Sequence, residues 1–487
     1  MTAITSLKPK LIWEIFDSIT KIPRPSKKEK KIRTFLINWA KKHQLEVLED
    51  KAGNILMKKP ATPGFENKKT IVLQSHMDMV CEKNNNIDFD FDNDSIQTYI
   101  ENGWVTAKGT TLGADDGIGM AAQMAVLIDN TLEHGPIEAL FTVDEETGLT
   151  GAFNLEPNFF TGKILLNLDS EDEGEIFIGC AGGIDTTAWF NYEKIKAPKS
   201  YQALKISITG LKGGHSGDDI NKGHGNAIKI LNRYLWEINQ KYDIELFYFE
   251  GGNLRNAIPR EASAIFLVSN YKKEQARADF NIFIHTMEIE YGYVEPNMKL
   301  TLTSTETPEW IIDSKTKDNL FNALYGCPNN VIAMSKRMPD MVESSTNLAA
   351  IRFKSDSQIE IITSQRSELE SSKYDIAQSV ESVFRLANAT VKHSDGYPGW
   401  TPNPDSEILK IAKKSYKKLF NQYPIVRSIH AGLECGLFLK KYPYLDMISF
   451  GPTLRFVHSP DEKINIDSVQ KFWDFLIEIL KDVPEDK

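Results

Sequence analysis

Five stretches of this chain hold side chains able to do chemistry. They are Gln74-Ser75-His76-Met77-Asp78-Met79-Val80, Gly113-Ala114-Asp115-Asp116-Gly117-Ile118-Gly119, Asp144-Glu145-Glu146-Thr147-Gly148, Leu168-Asp169-Ser170 and Phe456-Val457-His458-Ser459-Pro460. Imidazoles and carboxylates together are a donor set for divalent metal ions. Two ions held close together need a shared carboxylate. Asp115 suits that role, because it follows a glycine-rich approach where the backbone can come close to a ligand, and it opens a helical pattern. His76 and either Glu146 or Asp169 could then serve the individual ions, with His458 completing the set. Successive separations of 39, 31, 23 and 289 residues from His76 to His458 exclude a local metal loop.

Each stretch alone has an ordinary explanation. A single histidine is usually hydrogen-bonded, and Asp115-Asp116 reads equally well as a helix start with dipole-favoured carboxylates. Glu145-Glu146 could be a solvated loop, and Asp169-Ser170-Glu171-Asp172-Glu173 an acidic run facing water. Two finer features favour chemistry. His76 and Asp78 are two apart and so point to one side of an extended backbone, which lets Asp78 orient the imidazole. Adjacent glutamates leaving a strand point different ways, so Glu146 can bind metal while Glu145 accepts a proton from a metal-activated water.

The surrounding pattern supplies the means to converge. Residues 11–19, 28–42 and 117–129 read as helices, and 70–73, 137–143 and 163–168 as strands. This alternation predicts an α/β sheet flanked by helices, and such sheets collect ligands at the carboxyl ends of their strands. His76, Glu145, Glu146 and Asp169 all follow strand-like runs. From about 185 to 395 the texture changes to alternating strands such as 204–208 and 359–362, separated by helices at 227–240 and 373–387. This reads as an α+β domain with one sheet face exposed. After the turn-rich stretch 396–404, expected to be a linker, helices at 406–418 and 467–481 flank a strand at 445–450. The expected architecture is a mixed-sheet catalytic α/β domain, residues 1–184 and 396–487, with an inserted α+β lid domain, residues 185–395.

Length and composition agree with two folded domains: 487 residues, 41% hydrophobic and 25% charged. The net charge of -10 disfavours non-specific nucleic-acid binding. Apolar runs are too short for a membrane span, the N-terminus lacks the pattern of a secretory signal, and the four scattered cysteines suit reduced thiols in a cytoplasmic protein.

Residues 75–80, 111–117, 145–148, 167–171 and 457–460, together with Gly213-Gly214-His215-Ser216-Gly217 and residues 252–259, resemble the co-catalytic zinc dipeptidases related to the aminoacylases. The resemblance runs over almost the whole chain. It implies ligands His76, Asp115, Glu146, Asp169 and His458, with Asp115 bridging and a cis peptide after it, Asp78 as orienter and Glu145 as general base. It implies two divalent ions per chain, zinc first, with manganese or cobalt as alternatives. The implied reaction is hydrolysis of the peptide bond of free dipeptides, Xaa-His included. His215 would stabilise the oxyanion. Asn256 and Arg366 would hold the substrate carboxylate, the latter through its bidentate fork, and Glu434 would receive the amine. A small peptide substrate and a homodimer complete the expectation. The alternatives are a related dimetal aminopeptidase or N-acyl amino acid amidohydrolase, or a metal-free binding homologue; an unliganded Glu145 beside five ligands argues against the last.

Overall fold

The computed structural model describes residues 3–355 and 357–486. Backbone contacts divide the chain into two units: Met1–Gly179, Pro402–Ser428 and Leu433–Lys487 in one, Cys180–Thr401 and Ile429–Gly432 in the other.

The first unit is built on an eight-stranded mixed sheet. Its elements include α1 (Lys10–Ile19), α2 (Lys30–Lys42), β1 (Glu46–Glu49), β2 (Ile55–Lys59), β3 (Ile71–His76), β4 (Thr98–Glu101), β5 (Trp104–Ala107), α3 (Ala114–Ile128), β6 (Ile137–Thr142), β7 (Ile164–Asn167) and β8 (Glu175–Cys180). The sheet order is β1, β2, β6, β3, β7, Asp446–Ser449, β8, Ile425–Ile429. Strand β3 lies at its centre and runs parallel to both β6 and β7, and β7 runs parallel to Asp446–Ser449. Every residue of β3, β6 and β7 is buried, as strands covered on both faces require. Helix α3 packs on β3 and α1 on α3. Apolar residues Ile12, Ile15, Phe16 and Ile19 recur on the helical period and form the buried stripe of α1.

Strand β3 is longer than the expected 70–73, since it continues through Gln74 and Ser75 to His76. Those two polar residues stay buried because neighbours satisfy them: Asn167 Nδ2 donates to Gln74 Oε1 at 2.6 Å and Gln123 Nε2 to Ser75 Oγ at 2.7 Å. Helix α3 opens irregularly. Asp115 and Asp116 have non-helical dihedrals and are joined by a cis peptide, so the regular turns begin near the expected residue 117. A small antiparallel sheet of Leu454–Arg455, Lys463–Asn465, β5 and β4 sits in the same unit.

The second unit carries a nine-stranded antiparallel sheet with Val342–Phe353 and Gln358–Ser367 paired near its middle. Strand Tyr201–Thr209 buries alternate residues over much of its length. Helix Ala227–Tyr242 buries Ile228, Leu231 and Leu235 in a core shared with Leu204, Phe249, Phe266 and Ile361. Its N-cap Asn226 accepts from the backbone N–H groups of Ile228 and Lys229 at 3.1 and 3.2 Å.

The junctions of this unit differ from 185 and 395. Gly183 and Tyr397 exchange two backbone hydrogen bonds (3.1 and 2.8 Å), and Cys180 and Trp400 exchange two more (both 2.9 Å). The stretch expected to be a linker is thus largely a paired segment of the second unit. Ile429–Gly432 joins the same unit, where the Ile429 carbonyl accepts from Ala181 N–H at 3.0 Å.

Candidate metal centre

Parallel pairing around β3 decides where the chemistry collects. The carboxyl ends of β3, β6 and β7 share one edge, so His76, Glu145, Glu146 and Asp169 emerge together. Asp115 enters from the start of α3, and His458 from the loop between Leu454–Arg455 and Lys463–Asn465.

The two oxygens of Asp115 divide the cluster. Oδ1 lies 3.0 Å from His76 Nε2, which is also 3.4 Å from Asp169 Oδ1. Oδ2 lies 3.2 Å from His458 Nε2, which is in turn 3.0 Å from Glu146 Oε2. Among the described residues three groups in this cluster could hold a metal ion: His76–Asp115–Asp169 and Asp115–Glu146–His458, which share Asp115, and His76–Glu145–Glu146. The donor types fit zinc, manganese or cobalt. One further observation supports the fit: Glu146 Oε1 is buried without a hydrogen-bond partner among the described residues.

The electrostatics are those of crowded carboxylates. Burial pushes the Asp169 carboxyl up to about 7, against the opposing pull of His76 and with help from Asp115. Burial also pushes Glu171 up, to about 8, beside Asp115 and Asp169. Glu145 is raised well above the carboxylate range by burial and by Asp169, Glu146 and Glu434, although His76 opposes this. Burial acts on Asp115 in the same direction, but its bonds to His458 and His76 hold it below its ordinary value. Those to Asp115 and Glu146 push His458 up to about 11. Such a cluster favours positive charge, which divalent ions supply.

Asp78 organises the other side. Its Oδ1 faces His76 Nδ1 at 3.4 Å and accepts from Glu145 N–H at 3.0 Å, while Oδ2 accepts from Ser26 Oγ at 2.8 Å and Glu146 N–H at 3.3 Å. One carboxylate therefore sets both the imidazole and the start of the turn bearing both glutamates. Glu29, Asp78 and Asp144 also lie close enough to surround an ion. Local donors already serve all three, however: the N–H groups of Lys27 and Asp144 for Glu29, and the hydroxyls of Thr147 and Thr150 for Asp144.

Glu434 is fully buried in this unit. Its Oε2 accepts from Gln74 Nε2 at 2.6 Å and Thr142 Oγ1 at 2.7 Å, its Oε1 has no partner among the described residues, and burial pushes the carboxyl up to about 8. The other three expected substrate residues lie in the second unit. The loops of His215 and Asn256 pair there: Ser216 N–H donates to the Asn256 carbonyl at 2.8 Å and Ile258 N–H to that of Gly214 at 2.9 Å. His215 Nδ1 accepts from the N–H groups of Gly217 and Asp218 at 3.3 and 3.2 Å, and burial together with the charge of Arg366 lowers its pKa. The Asn256 side chain is exposed. Arg366 is buried on Gln358–Ser367, donates from Nη1 to the Tyr397 hydroxyl at 2.9 Å, and its Nε has no partner among the described residues.

Three residues that hold the site escaped the sequence reading. Besides Ser26, buried Arg24 donates to the carbonyls of Met77 (3.2 Å), Asp78 (2.5 Å) and Gly113, tying the His76 loop to the Asp115 loop. Glu462 accepts from four backbone N–H groups of the Asp115 loop. Gly113 is required there, with φ +69° and a would-be Cβ only 2.6 Å from Arg24 Nη2. No local motif marks Arg24 or Ser26. Glu462 could be noticed only as an acid four residues beyond His458.

Comparison with known proteins gives the family of the chain. The chain is 43% identical to the cytosol non-specific dipeptidase of Escherichia coli K12 over 484 residues, covering 99% of this chain and all of that one. It superposes on the crystal structure of aminoacylhistidine dipeptidase from Vibrio alginolyticus with a TM-score of 0.92 at 44% identity, covering 100% and 99% of the two chains. A Staphylococcus aureus tripeptidase shares the fold, with a TM-score of 0.57 at 16% identity over 98% of both chains. The profile of peptidase family M20/M25/M40 matches residues 72–482, and the chain belongs to that family.

Proposed function

We propose that this chain is a metal-dependent dipeptidase that hydrolyses the peptide bond of free dipeptides, Xaa-His among them. The division of Asp115 between two ligand groups, with Glu145 beside them outside both bridged sets, carries this reading. The names of the two full-length relatives point to the same substrate class. His76, Asp115 and Asp169 would hold one ion and Asp115, Glu146 and His458 the other, with zinc as the first choice and manganese or cobalt as alternatives. Bound ions supply Lewis-acid polarisation of the scissile carbonyl and lower the pKa of water.

The side chains supply the rest. Glu145 accepts the proton of the attacking water at its carboxylate and delivers it to the leaving amine. Asp78 fixes the direction of His76 and the N–H groups of Glu145 and Glu146, so the base keeps one orientation. In this reading His215 donates to the developing oxyanion through Nε2, since its Nδ1 already accepts two N–H bonds. Arg366 and Asn256 hold the substrate carboxylate, and Glu434 receives the amine at Oε1. We also propose a homodimer and a cytoplasmic location. Among the described residues no helix is long and apolar enough to cross a membrane.

Metal analysis and a substrate panel together test the function. The expected result is about two divalent ions per chain, with cleavage of Ala-His but not of N-acetyl amino acids or tripeptides. Preferred turnover of N-acetyl amino acids would overturn the substrate assignment, and full activity after complete metal removal would overturn the mechanism. Light scattering of the purified protein reads the oligomer directly.

A further inference from the structure

The Asp115 loop and the His458 loop are 343 residues apart in sequence, yet one side chain joins them. Glu462 is 2% exposed. Its Oε2 accepts from the N–H groups of Leu112 (2.8 Å) and Gly113 (3.0 Å), and its Oε1 from those of Ala114 (2.7 Å) and Asp115 (3.3 Å). The backbone of Glu462 is held independently. Its carbonyl accepts from Thr106 Oγ1 at 2.8 Å, its N–H donates to the Ser459 carbonyl at 3.0 Å, and the next residue, Lys463, pairs with Thr106 of β5.

We infer that Glu462 is a positioning residue that sets the spacing between Asp115 and His458, and with it the second metal position. Two features make its carboxylate the controlling contact. The side chain of His458 is half exposed on a short loop with backbone φ +62°, so its placement depends on how that loop is held. Asp115 sits at the irregular opening of α3, ahead of Asp116, whose Oδ1 caps the regular turns by accepting from Gly119 N–H at 3.1 Å. That cap does not reach residues 112–115, whose N–H groups are received by the Glu462 carboxylate, hydrogen bonding aided by the nearby helix dipole. Amide replacement would turn one acceptor into an N–H₂ group facing two N–H donors. Arg24 grips the same loop from its carbonyl side and ties it to the His76 strand instead, so Glu462 governs chiefly the Asp115–Glu146–His458 group.

This inference rests on the dimetal reading above, and direct metal titration separates the two. Metal-free wild type, Glu462→Gln, Glu462→Asp, His458→Ala and the double variant His458→Ala/Glu462→Gln are titrated with Zn²⁺ against a chromophoric chelator. Thermal unfolding of each metal-free protein is followed in parallel. Wild type is expected to bind two ions. Glu462→Gln should keep the tighter ion and bind the other about 10- to 100-fold more weakly, as for residues that hold a ligand in place, and adding it to His458→Ala should change the residual binding little. A wild type binding fewer than two ions would refute the dimetal reading itself. Wild type and Glu462→Gln binding both ions alike would refute only the role of Glu462. If Glu462→Gln does not fold, Glu462→Asp decides: a weakened second ion supports the assignment and an unchanged one overturns it. Failure of both variants to fold without metal would make Glu462 a folding requirement and equally overturn it.

Discussion

Replacing Asp78 by Asn probes the centre of the arrangement with almost no change in volume. The wild-type carboxylate faces His76 Nδ1 and accepts Ser26 Oγ and the N–H groups of Glu145 and Glu146. Asparagine keeps one acceptor oxygen, so either the His76–Glu145 side or the Ser26–Glu146 side meets an N–H₂ group. Loss of a carboxylate that orients a ligand histidine typically weakens metal binding about 10- to 100-fold, or about 1.4–2.7 kcal/mol. Releasing the Glu145 N–H also frees the proposed base, and a displacement of about 1 Å at a reacting group costs about 100-fold in rate, or about 2.7 kcal/mol. If the two effects are independent, kcat/KM falls about 10³- to 10⁴-fold, a barrier increase of about 4–5.5 kcal/mol. Steady-state hydrolysis of Ala-His is to be measured at low zinc and at saturating zinc. Saturating metal should restore the first part and leave a deficit of about 100-fold in kcat. Full recovery of kcat at high zinc would show that Asp78 serves the metal alone, and a loss under threefold at low zinc would refute the whole account.

Other predictions are simpler. Glu145→Gln should retain two ions and the wild-type circular dichroism yet lose about 10²- to 10⁴-fold in kcat; near-normal turnover would remove Glu145 from the mechanism. Arg366→Lys keeps the charge but not the fork, so KM for Ala-His should rise at least tenfold with KM for the dipeptide amide little changed; equal effects on both would exclude a carboxylate contact. Burial, aided by Arg366, pushes His430 down to about 3, so the unfolded chain takes up a proton below about pH 6.5 that the folded chain refuses. Stability is then full above that pH and falls by about 1.4 kcal/mol per unit as pH drops toward 3. His430→Asn should flatten the fall in urea midpoint between pH 6.5 and 4.5; parallel curves for the two proteins would contradict the assignment.

Side-chain chemistry and strand ends were readable from sequence because both are local properties. His76, Asp115, Glu145, Glu146 and Asp169 follow apolar runs or glycine turns whose patterns are plain within ten residues. Periodicity likewise located α1 and the helix at residues 227–240, because an apolar stripe is written in consecutive residues. The sequence by itself therefore determined the candidate imidazoles and carboxylates and the sheet edge on which four of them gather. Tertiary structure alone decided how they are shared: which oxygen of Asp115 meets His76 and which meets His458, and that Arg24 and Glu462 clamp the loop between them. Backbone acceptors and donors leave no residue-type signature, so an Arg gripping three carbonyls or a Glu filled by four N–H groups looks like any surface charge. The same reason hid the pairing of Cys180–Gly183 with Tyr397–Trp400, a backbone contact between segments more than 200 residues apart.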